Sequence, residues 1–125
     1  MPYMVVDCNV FLITFLFILL DILSGVTQAV KNKTLSSVIM REGIYHKLSY
    51  VIAIALSALI EYGVLHMDLG FTTPLLMPVC VMICLTEIVS IIENVERLNP
   101  ELANTGIFAL LSQNKKRRND DDQNN

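Results

Sequence analysis

The chain has 125 residues, of which 54% are hydrophobic and 17% charged, with a formal net charge of −3. That length holds one domain at most, and soluble domains average about 45–50% apolar and about 25% charged residues. The charges gather in two stretches, 31 to 47 and 93 to 122, and long apolar runs fill the rest. A soluble helical bundle would instead spread a charged face along every helix. The pattern argues against an ordinary soluble domain and predicts an all-α integral membrane protein.

A bilayer core takes about 20 mostly apolar helical residues. Three stretches qualify: 9–26, built on FLITFLFILL; 48–65, built on SYVIAIALSALIEYGVL; and 74–92, built on PLLMPVCVMICLTEIVSII. Asp21, Glu61 and Glu87 each fall inside one of them. A carboxylate near a helix centre costs about 2.5–3.5 kcal/mol on insertion scales, and each Leu, Ile, Phe or Val returns about 0.3–0.6. All three spans insert on that arithmetic, with a modest surplus. The first run lacks a basic leader and a small-residue cleavage site, so it is read as retained and not as a signal peptide.

Orientation follows from Lys and Arg. The first connection, 27–47, carries Lys31, Lys33, Arg41 and Lys47, and the second carries none. The C-terminal segment carries Arg97 and then Lys115, Lys116, Arg117 and Arg118, whereas the residues before the first span carry only Asp7. The positive-inside rule then predicts three transmembrane helices, N-out and C-in, with a basic cytoplasmic loop. That loop is long enough for a short helix on the membrane surface, where its cations would meet anionic headgroups. Asn99-Pro100 should stop the third helix, because a residue before proline avoids the α region. A short amphipathic piece follows, and KKRRNDDDQNN reads as a disordered, charge-segregated tail. The expected organisation is a membrane domain over 1–112 and a disordered charged tail over 113–125.

Asp21, Gly25 and Ala29 recur at four-residue steps and share one face of the first helix. Gly25 and Ala29 form a small-xxx-small pair that admits another helix closely, as an oligomer face or as packing within the chain. On the third helix, Glu87, Ser90, Asn94 and Arg97 form a polar stripe, with Glu93 beside it. The stripe is either a helix end emerging into water or a candidate lesion lining in an oligomer. Nothing near the acids offers a nucleophile or a metal site, so no catalytic residue, metal or cofactor is expected. A proton-sensing or structural role suits the acids better. Cys8, Cys80 and Cys84 lack zinc-ligand spacing and read as small packing residues. The KKRR run lacks interleaved aromatics and is followed at once by Asp120 to Asp122, which favours anchoring over nucleic acid.

Two blocks resemble a known family. The stretch DILSGVTQAVKNKTLSSVIMREGIYHK places Asp21, Gly25, Ala29, Lys31, Ser36, Ser37, Gly43 and Lys47 as in the first block of the toxin-secretion/phage-lysis holin family. EIVSIIEN, with Glu87, Ser90, Ile91, Glu93 and Asn94, is similar to that family's second block, ExxSIxEN. Where the family pattern has a glycine shortly before the following proline, this chain has Arg97, Leu98 and Asn99 before Pro100. The resemblance implies a multi-pass protein of the bacterial host cytoplasmic membrane. It would form homo-oligomers and open lesions that release a cell-wall endolysin, or in some relatives a toxin, and lyse the host. Its partners would be the lipid bilayer and further copies of itself, with the endolysin a functional partner and no small-molecule substrate. An antiholin of the same fold, a small proton-coupled transporter subunit and a soluble helical bundle are the alternatives.

Overall fold

In the computed structural model, residues 8 to 124 are described; Asp7 lies outside them. Helix α1 spans Cys8–Lys31, α2 Ser37–His66 and α3 Leu76–Leu98. A 3₁₀ turn over Pro100–Asn104 leads into α4, Gly106–Gln123. Among the described residues there is no strand. Helices α1, α2 and α3 are each long and apolar enough to cross a membrane. Leu12, Phe15, Val51, Leu59, Met82 and Leu85 are all exposed. A soluble bundle would bury such side chains, whereas lipid tails solvate them.

The closest pairing is between α1 and α3. Contacts from Thr14 to Cys84, Ser24 to Asn94 and Lys31 to Leu98 advance together along both helices, so the two run parallel. Buried positions on α1 recur every seven residues at Thr14, Asp21 and Gln28. On α3 they fall at Leu76, Cys80, Ile83, Glu87 and Asn94, in steps alternating between four and three or summing to seven. That is the 3.5-residue repeat of a two-helix coiled-coil contact. Half of this interface is polar, which suits a membrane, where apolar side chains gain nothing by leaving lipid. At the apolar half, Val10, Ile13, Phe17, Met77, Val81 and Leu85 border a shallow groove of about 250 Å³.

The first connection differs from the expected long basic loop. It is confined to residues 32–36, and α2 begins at Ser37 and runs without a break into the second span. Two local devices account for this. Lys33 takes a left-handed φ of 56°. The Lys33 N–H donates to the Val30 carbonyl at 3.3 Å and the Thr34 N–H to the Ala29 carbonyl at 2.9 Å, which is the bonding of a Schellman stop. Ser36 then caps the next helix, its hydroxyl accepting from the Ile39 N–H at 3.2 Å. A surface helix and a span have merged into one helix of 30 residues, about 45 Å long at 1.5 Å per residue. Arg41 and Lys47 are therefore helical residues, with Arg41 exposed and Lys47 turned inward.

Asn99 is extended at φ −139° and ψ 90°, and α3 stops at Leu98 as the following proline demands. Of the segment 113–125, expected as a disordered tail, the residues up to Gln123 form the second half of α4, and Asn125 lies outside the described residues. Residues 107 to 125 contain no glycine or proline. Lys116, Arg117 and Arg118 precede Asp120, Asp121 and Asp122 by four residues each, a spacing that pairs opposite charges along one helix face. Lys116, Arg117 and Arg118 are exposed, and the Lys115 side chain lies outside the described residues.

Candidate functional site

The three spanning helices converge on one ion cluster. The Lys47 ammonium of α2 donates to Asp21 Oδ2 of α1 and to Glu87 Oε2 of α3. Glu87 is 1% exposed and Asp21 7%, so both acids are sealed by protein and not by lipid. At 1.5 Å per residue, Asp21, Lys47 and Glu87 each lie about 15 Å from the end of their own helix on the Lys31 side. They meet because all three helices deliver them to one depth. Lys47 also stands 5.5 Å from the centroid of the Tyr50 ring, one turn further along α2, a face that attracts a cation. With all three groups ionised the cluster carries one negative charge in excess.

Asn94 completes the arrangement. Its amide donates to Asp21 Oδ1 at 3.0 Å and to Ser24 Oγ at 3.0 Å. Both carboxylate oxygens of Asp21 are thereby occupied, one by Lys47 and one by Asn94. Ser24 in turn donates to the Asp21 carbonyl at 3.1 Å. Gly25 lies at this approach: a Cβ built there would touch Asn94 Nδ2 at 3.4 Å, so there is room for a methyl group and little more on that side. No buried side-chain nitrogen or oxygen among the described residues lacks a hydrogen-bond partner. A half-satisfied polar network is costly in a low-dielectric interior, and this one is complete within a single chain.

The helices also cap one another. At one end, Lys31 donates to the Leu98 carbonyl, and Asn32 Nδ2 donates to the Arg97 carbonyl at 3.4 Å. Those carbonyls belong to the last turn of α3, which has no intrahelical donors left. A cation there also complements the helix dipole. At the other end, Glu61 Oε2 of α2 accepts from the Leu76 N–H at 3.0 Å, the first residue of α3. Glu61 is thus an anion at a helix N-terminus, the position the dipole favours.

The face of Asp21, Gly25 and Ala29 packs against α3 of the same chain, with Asp21 and Ala29 buried. The stripe on α3 packs against that face: Glu87 and Asn94 are buried, Ser90 and Glu93 are half-buried, and Arg97 is exposed at the end. The two features picked out separately in the sequence are the two halves of one interface. Sequence reasoning missed Lys47 as a member, having placed it in a loop as an orientation signal. The available signal was its place ten residues into a helix that Ser36 caps. Thr14 and Gln28 were missed as well, although the seven-residue spacing through Asp21 marks them.

These features define a three-span membrane protein whose first and third spans share a largely polar interface and whose three spans meet at a charged cluster. A sequence profile of the bacteriophage holin family matches residues 4 to 105, which takes in all three spans and both halves of the interface. The chain belongs to the bacteriophage holin family, a family of multi-pass cytoplasmic membrane proteins that form lysis pores and are not typically enzymes. Comparison with curated proteins and with solved structures gave no match.

Proposed function

We propose that this chain is a phage-type holin. It accumulates in the cytoplasmic membrane of the bacterial host, oligomerises, and opens lesions through which an endolysin leaves the cytoplasm to lyse the cell. The observation that carries the reading is the family match across residues 4 to 105. Lys31, Lys33, Arg41 and the basic run from 115 to 118 support an orientation with the N-terminus outside and the C-terminus inside. On this reading the ion cluster lies in the cytoplasmic half of the membrane. Asp21 and Glu87 face protein in the closed chain, and they face water once subunits rearrange into a lesion. The membrane domain over 1–112 does this work, and the charged segment over 113–125 stays in the cytoplasm.

Induced expression in a bacterium, with and without a co-expressed endolysin, tests the reading. Growth and respiration should stop abruptly in both cultures, and only the culture with endolysin should clear. Steady growth in both would overturn it. A second reading, an antiholin of the same fold, draws on the fact that the polar interface is closed within one chain and needs no partner. An antiholin would leave growth untouched alone and delay lysis when expressed beside a holin. The transporter alternative would need Asp21 and Glu87 to exchange protons while Lys47 pairs with both and Asn94 with Asp21.

A further inference from the structure

Helix α2 is the loosely held member of the bundle. Within the most apolar stretch of each helix, 22% of residues are buried in α3 but only 6% in α2. Its packing runs mainly against α3, and far less closely than that of α1. Ser57 is its one buried residue, and the Ser57 hydroxyl is spent on its own helix, donating to the Ala53 carbonyl at 2.7 Å. Polar contacts hold it instead: Lys47 to Asp21 and Glu87, with the Tyr50 side chain also beside Glu87, and Glu61 to the first N–H of α3. The α1–α3 pair, by contrast, has a continuous interface and keeps its Asn94 contacts whether or not α2 is present.

We propose that Lys47 is a latch that holds α2 on the α1–α3 pair and that its release frees α2 to move as a unit. This inference rests on the holin reading for its consequence, which is the timing of lesion formation. The geometry suits a latch. Lys47 pairs with charged groups on both other spans, and removing it leaves α2 without its ion pairs, with Glu61 at the far end and the Tyr50 side chain beside Glu87. Once α2 departs, the carboxyls of Asp21 and Glu87 lose their common cation and become the polar face available to water. The closed chain is therefore the resting form, and opening begins at α2 and not at the α1–α3 interface.

The sign of the effect separates a latch from a pore-lining residue. At equal membrane levels beside an endolysin, Lys47→Met should shorten the delay before lysis at least twofold. Lys47→Glu combined with Glu87→Lys rebuilds two acids around one ammonium and should restore the delay. Lysis by Lys47→Met at the normal time or later would overturn the latch. Should Lys47→Met fail to accumulate, Lys47→Gln takes its place under the same criterion.

A second measurement is independent of lysis. Spin labels at Arg41→Cys and Arg97→Cys, with Cys8, Cys80 and Cys84 replaced by alanine, report the distance between α2 and α3 in lipid nanodiscs. That distance should be narrow in the parent, broad and longer with Lys47→Met, and narrow again in the exchanged pair. A narrow distribution with Lys47→Met would also overturn the proposal. If the parent protein never lyses cells, the holin reading fails, and the distances still decide the latch.

Discussion

Asp21→Asn combined with Glu87→Gln should destabilise the protein far more than the sum of the two single changes. Each single change leaves Lys47 with one carboxylate, and it removes the excess negative charge of the cluster. The double change leaves an ammonium inside the bundle with no anion. Removing the partners of a buried ion costs on the order of 3–5 kcal/mol, and Lys47, with its side chain 17% exposed, should fall near the lower end. Thermal unfolding of the purified protein in detergent reads this directly. The single variants should melt close to the parent and the double variant well below it. Additive shifts would show that the two acids act separately and that the cluster is not one unit. In cells, each single variant should move the time of lysis, since each alters the hold on α2.

Gly25→Leu should break the contact between α1 and α3. A Cβ at position 25 sits 3.4 Å from Asn94 Nδ2, so Gly25→Ala should be nearly neutral. A leucine adds three more carbons beyond that contact, beside the Asn94 amide. Forcing extra atoms into a packed contact costs about 1–3 kcal/mol, and a buried amide left without acceptors adds about 1–3 more. Asn94→Ala removes the obstacle, so Gly25→Leu with Asn94→Ala should lose much less than the two single losses combined. That coupling is expected only for residues in contact. Simple additivity in the thermal midpoints would contradict the close approach.

The sequence carried much of this architecture, for identifiable reasons. Three apolar runs separated by polar stretches mark three spans whatever their packing, and Pro100 marks the end of α3 through a steric rule that does not depend on context. The pairing of α1 with α3 was less legible. On a helix that is apolar all round, hydrophobic periodicity does not show which face meets protein, so only the polar residues mark it. Asp21 and Glu87 were visible as marks; Thr14 went unread as a single uncharged residue in an apolar run, and Gln28 because it was assigned to the connection after the first span. Lys47 was misread for a different reason. A basic residue at the edge of an apolar run counts equally as a flank or as the last polar turn of a longer helix, and the Schellman stop at Lys33 with the Ser36 cap decides between them. Glu61 was read as a carboxylate to be offset by leucines. Its partner is a backbone N–H of another helix, which leaves no trace in side-chain patterns. The charged segment of α4 read as disordered from its composition, whereas its charges of opposite sign stand at helical spacing.

The most direct measurement follows a folded cytoplasmic reporter the size of an endolysin in cells induced to express this chain without any wall-degrading enzyme. After a delay at constant respiration, the reporter should cross the cytoplasmic membrane abruptly, at the moment respiration collapses. Loss of ion gradients with the reporter retained, or continued respiration with no release, would contradict a lesion large enough to pass an endolysin.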